Sequence, residues 1–146
     1  MTATVPAAPS SWRIELPHTA AAVPIARALV RTALADISAA SQAPAVRDPD
    51  TGDTAELLTA ELVANAVEHT PGDAPIELVI ELLPNGWQFE VHDDDPQPPA
   101  DLAGPVPEPD PFALAEDGRG LLLIRTLSTA CGHRPTAQGK AVWFTL

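Results

Sequence analysis

Apolar positions change their period several times along the chain, and each change marks an element. Trp12, Ile14 and Leu16 alternate with Arg13 and Glu15, which predicts a short half-buried strand ended by Pro17. Pro24 suits the first turn of a helix, and Ala26, Val30, Ala33, Leu34 and Ile37 then recur at helical spacing to about Ser38. Ser41 to Asp53, with two prolines, a glycine and three aspartates, reads as a loop. A second helix is predicted from about Thr54 to His69, stopped by Thr70-Pro71-Gly72. Ile76–Leu83 and Trp87–His92 are strands joined at Pro84-Asn85-Gly86, where Asn-Gly is a strong hairpin signal. From Asp93 to Asp117 the chain turns proline-rich and acidic, with few large apolar residues, as expected of a lid or binding loop. A third helix follows from Leu121 to about Ala130. Two strands, Gly132–Thr136 and Ala141–Leu146, close the chain around a turn at Gln138-Gly139-Lys140.

The order β-α-α-β-β-loop-α-β-β predicts an α+β two-layer sandwich, a mixed, largely antiparallel sheet with helices on one face. Residues 1–11 offer little to bury and are expected to be a flexible leader. Residues 12–146 then form a single domain, with 94–117 as its lid.

The second helix carries the unusual stripe. Wound at about 100° per residue, Ala60, Val63, Ala66 and Val67 cover one broad side, whereas Glu61, Asn65 and Glu68 fall together on the other. Asn is a poor helix-interior residue, and a buried, unpaired amide costs about 1–3 kcal/mol. Something is expected to occupy the space before Glu61 and Asn65, although a solvated face or a local i,i+4 contact would also place them so. Gly118-Arg119-Gly120 at a helix start is a candidate phosphate site, because glycine admits close approach and the first helical amides point outward. The same tripeptide can be only a tight turn, with Arg119 on phosphate or on a nearby acid. Asp93-Asp94-Asp95 ends a strand; it is either a solvated turn or, at Asp93, an acceptor for a base amine.

Composition narrows the partners. A formal charge of −12 argues against a nucleic-acid surface, and requires any polyanionic ligand to be met by amides, placed cations or a metal. Cys131 is alone, which leaves no disulfide framework or cysteine-based zinc site. Lys140 is the only lysine and reads as compositional bias. The start shows no secretory pattern and no apolar run reaches membrane-spanning length, so a cytoplasmic protein with no membrane partner is expected.

Together, the three blocks resemble the GHKL-type ATP-binding domain, the Bergerat fold of histidine kinases, gyrase and heat-shock chaperones. The resemblance is closest to its standalone, actinobacterial-type branch of anti-sigma-factor serine kinases. Glu61 to His69 is similar to that branch's N box, and Val91-His92-Asp93 with Pro96, Pro98 and Pro99 to its first glycine box. Gly118 to Ile124 is similar to the second, and Gly139 to Leu146 to the closing strand. The resemblance implies that Asn65 ligates Mg²⁺, that Asp93 reads the adenine amine, and that Gly118 and Gly120 admit the phosphates of ATP, with Arg119 and Leu121 also among the cofactor-binding residues. It gives Glu61 the part of general base in a serine/threonine-protein kinase acting on an anti-anti-sigma (STAS-type) partner, with a sigma factor as second partner and homodimerisation. Asp95 and Gln97 stand where the broad family has glycines, so no close glycine approach is implied there. For His69 the resemblance leaves helix capping and a phosphate contact both open. A nucleotide-dependent binding module without catalysis would need the same nucleotide residues but no base at Glu61.

Overall fold

The computed structural model describes residues 11–40, 49–99 and 119–146. Its elements run β1 (Ser11–Leu16), α1 (Ala22–Ala40), α2 (Pro49–His69), β2 (Ile76–Leu83), β3 (Gly86–Asp93), α3 (Arg119–Leu127), β4 (Ala130–Pro135) and β5 (Lys140–Thr145). The predicted leader up to Ser10 and most of the predicted lid, residues 100–117, lie outside the described residues.

The sheet order is β1-β2-β3-β5-β4, and every described pairing is antiparallel rather than mixed. Chain direction explains this: the connections β2–β3 and β4–β5 are short hairpins, and β5 returns to pair with β3 in the opposite sense. In the β2–β3 hairpin Leu83 pairs with Gly86, so Pro84-Asn85 form the two-residue loop. Gly86 has φ +154°, and a Cβ there would collide with the Leu146 carbonyl. That close approach is used: Trp87 and Leu146 exchange backbone hydrogen bonds of 2.8 and 2.9 Å.

Period-two alternation sends Leu78, Ile80, Trp87, Phe89, Val91, Val142 and Phe144 to one face, where they join the core formed with the helices. Phe89 and Phe144 stack across the β3–β5 pair with centroids 4.9 Å apart. Helix α1 contributes Ala22, Ala26, Val30, Ala33 and Ile37, whose spacing makes one buried stripe, and α2 contributes Ala55, Leu58, Leu62, Val63 and Ala66. The small side chains let the two helices pack closely over the sheet.

Several boundaries differ from expectation, and three of them have a visible cause. Helix α2 begins at Pro49, five residues before Thr54, because Pro is suited to the first helical position and Asp50 to the positive end of the dipole. The same residues had suggested a loop. Helix α3 stops at Leu127, short of Ala130: Ser128 donates both its amide and its hydroxyl to the Ile124 carbonyl, and Thr129 and Ala130 are drawn into pairing with Thr145. Strand β5 starts at Lys140, one residue before Ala141, which places the lysine inside the ladder opposite Asp93.

Among the described residues, no helix is long and apolar enough to cross a membrane.

Candidate nucleotide site

The open side of α2 is the stripe read from its sequence. Glu61, Ala64 and Asn65 are half-buried and Glu68 is exposed, whereas Leu58, Leu62, Val63 and Ala66 turn into the core. Among the described residues, the side chains of Glu61 and Asn65 have no hydrogen-bond partner. Both therefore keep their polar atoms available at the edge of the core.

Helix α3 meets α2 at Glu61. A Cβ added to Gly120 would stand 2.5 Å from Glu61 Oε2 and 3.2 Å from Glu61 Cβ, so the carboxylate lies against the glycine's Cα in the first turn of α3. Two motifs separated by nearly sixty residues are thus joined at a contact that only glycine permits. A carboxylate at a helix N-terminus is also favourably placed toward the dipole. Leu121 is buried and belongs to the core, so its contribution to a ligand would come through its backbone amide. Helix α3 begins at Arg119, whose side chain, like Gly118, lies outside the described residues.

Asp93 sits where the sequence places it, at the end of β3, but it is no free carboxylate. Two residues beyond Val91 it points to the helix-bearing face, and it is buried. Its Oδ1 accepts from Lys140 Nζ at 2.9 Å and from the Asp95 amide at 3.0 Å. Lys140 also donates to the Asp95 carbonyl at 3.1 Å. The chain's only lysine is therefore a buried partner of Asp93 and no compositional accident. The signal was available: Lys140, Val142 and Phe144 share one face of a strand, so a strand begun one residue earlier would have sent the lysine inward. Asp94 is exposed, and Asp95 accepts the Gln97 amide at 3.0 Å, so the two other acids shape the turn after β3.

His69 is exposed beside Glu68, its Nε2 3.8 Å from Glu68 Oε2. The end of α2 is instead served by His18, which sequence reading passed over. Its two ring nitrogens lie 3.2 Å from the Val67 carbonyl and 3.1 Å from the Ala74 carbonyl. A histidine between a proline and a threonine in a connecting segment gave no sequence signal.

The opposite face of the sheet holds a separate polar network. Glu90 accepts from both nitrogens of the Arg134 fork, from Gln88 and from His92 Nε2 at 2.8 Å. Burial pushes the Glu90 carboxyl up, but the hydrogen bonds of Arg134, His92 and Gln88 and the Arg134 charge outweigh it and hold the carboxyl below its ordinary range. A groove of about 680 Å³ runs along the sheet end beside Asp93, walled by Arg13, Glu77, His92, Asp94 and Gln138; Glu61, Asn65 and Gly120 do not line it.

The fold agrees with the family comparison. Residues 20–146 match the model of the histidine kinase-like ATPase domain, and the chain belongs to that family. No curated protein matches the chain. The family is of the GHKL type, whose domains bind ATP, usually with Mg²⁺. The residues present suit such a ligand: a glycine start to α3 that a Cβ would fill, an amide oxygen at Asn65 on an open stripe, and a fixed carboxylate at Asp93.

Proposed function

We propose that this chain binds Mg²⁺-ATP along the α2–α3 edge and, in the manner of anti-sigma-factor serine kinases, transfers the γ-phosphoryl group to a serine of an anti-anti-sigma partner of the STAS type. A sigma factor is the second proposed partner, and a homodimer the proposed assembly. The observation that carries the reading is the contact of Glu61 with Gly120, which sets a carboxylate at the helix start expected to receive phosphates.

Each residue has a part suited to its chemistry. The Asn65 amide oxygen would take Mg²⁺, a hard cation that keeps several waters and needs few protein oxygens. Among the described residues, no group of three His, Cys, Asp or Glu could hold a metal, so the remaining ligands would be nucleotide oxygens and water. Backbone amides from Gly118 to Leu121 would face the phosphates. Asp93 would accept a hydrogen from the adenine amine. Glu61 would hold the proton leaving the accepting serine hydroxyl. Bound Mg²⁺-ATP supplies the phosphoryl group and masks its own charge, which suits a chain of net charge −12.

The test is phosphotransfer from labelled ATP to purified STAS-type partners by the wild type and by Glu61→Ala. Transfer by the wild type that falls about 10²–10⁴-fold in the variant, with ATP affinity held within a few-fold, is the expected result. No transfer by the wild type, with ATP still bound, would leave a nucleotide-dependent binding module. An unchanged rate in Glu61→Ala would remove Glu61 from the chemistry.

A further inference from the structure

The buried pair of Asp93 and Lys140 asks for a purpose beyond folding. Lysine is almost never buried unless paired, and two apolar side chains of similar volume would serve the core as well. Yet both residues are 7% exposed, and the lysine holds two acceptors of one turn, Asp93 Oδ1 and the Asp95 carbonyl. The preceding Gly139 tightens the arrangement. A Cβ there would stand 2.6 Å from both Cα and the carbonyl carbon of Asp94, so β5 enters directly against the turn. With Lys140 and the Asp95 amide both on Oδ1, the carboxylate has one orientation, and its remaining acceptor capacity lies at Oδ2.

We propose that Lys140 is the positioning residue for base recognition: by fixing the Asp93 carboxylate in one acceptor-only orientation, it sets the preference of this site for adenine over guanine. The proposal rests on the nucleotide reading above. Adenine carries an amine donor at the position where guanine carries a carbonyl acceptor. A carboxylate locked by an ammonium accepts from the first and repels the second. Released from Lys140, the same carboxylate can turn away and lose both the contact and the discrimination.

ATP and GTP affinities are measured by calorimetry for the wild type, Asp93→Asn, Lys140→Met and the double variant. Lys140→Met is expected to weaken ATP binding about tenfold and to bring the ATP:GTP preference close to one, because a charge-assisted contact is lost. In the Asp93→Asn background it should add less than about twofold, since coupled residues are not additive. Lys140→Gln, which keeps a neutral donor, covers the case in which Lys140→Met does not fold, and should fall between. Because Lys140 is the only lysine, [15N]lysine labelling gives a single side-chain ammonium probe, which should shift on addition of ATP and not of GTP. A purely structural lysine would lower thermal stability and leave the preference intact. Wild-type preference that is lost in Asp93→Asn but kept in Lys140→Met and Lys140→Gln overturns the role of Lys140 alone. A wild type with no preference for ATP overturns the adenine reading and this proposal together.

Discussion

Replacing Asp93 by Asn tests the structural half of the site before any ligand is added. The substitution removes one charge of a pair whose side chains are 3% and 8% exposed, leaving the Lys140 ammonium buried without its counter-charge. Breaking a buried pair by removing one partner costs about 3–5 kcal/mol. Asn keeps an oxygen within reach of the lysine, which places the loss near the lower end, about 3 kcal/mol. In a chain of this size each kcal/mol moves Tm by about 2–4 °C, so a fall of roughly 10 °C is expected. The double variant Asp93→Asn/Lys140→Met removes both charges and should recover most of the loss, because an apolar replacement of a buried pair is often neutral. Thermal melts of the wild type, both single variants and the double variant at pH 7 without nucleotide form the cycle. A Tm for Asp93→Asn within about 2 °C of wild type, or a double variant that loses the sum of the two singles, would refute the buried-pair account. The melts also set the temperature at which ATP affinity is read. Loss of the proposed base contact should cost on the order of 10- to 100-fold in affinity, and it must be measured where the variant is folded.

Gly120→Ala should displace the Glu61 carboxylate and lower phosphoryl transfer while changing Tm little, because the clash falls chiefly on the end of a flexible side chain; transfer kinetics at the wild-type level would contradict this. Glu90 titrates lower in the folded chain than its ordinary 4.5, so the folded state binds fewer protons there. Its stabilisation is full above about pH 4.5 and is lost as pH falls through the lowered value. Glu90→Gln should therefore flatten the fall of Tm between pH 5 and 3 relative to wild type, and parallel curves would show that the network does not act through this carboxylate.

Much of this architecture is legible from residue order alone. The alternation in Ile76–Leu83 and the Asn-Gly turn specify the central hairpin, and the helical spacing of Ala26, Val30, Ala33 and Ile37 specifies the buried stripe of α1. The stripe Glu61–Asn65 is visible because polar residues interrupt an otherwise apolar helix. Pairings that cross the sheet are less visible. Lys140 is 47 residues from Asp93, and only the β3–β5 register makes them neighbours. Glu90 and Arg134 are 44 apart and meet in the same way through β4 and β5. Prolines and glycines mislead at Pro49 and Gly52, since residues that break a helix interior are tolerated in its first turn. His18 was silent because its partners are backbone carbonyls, which carry no sequence mark.

On the proposed reading, α2, the start of α3 and the end of β3 together make one Mg²⁺-ATP site. Titration calorimetry of the wild type and Asn65→Ala with ATP, in excess magnesium and again in excess chelator, tests it most directly. Binding by the wild type should depend on magnesium, and Asn65→Ala should show both a clear loss of affinity and a loss of that dependence. Equal wild-type affinity with magnesium and with chelator, or an Asn65→Ala variant that still gains affinity from the metal, would contradict it.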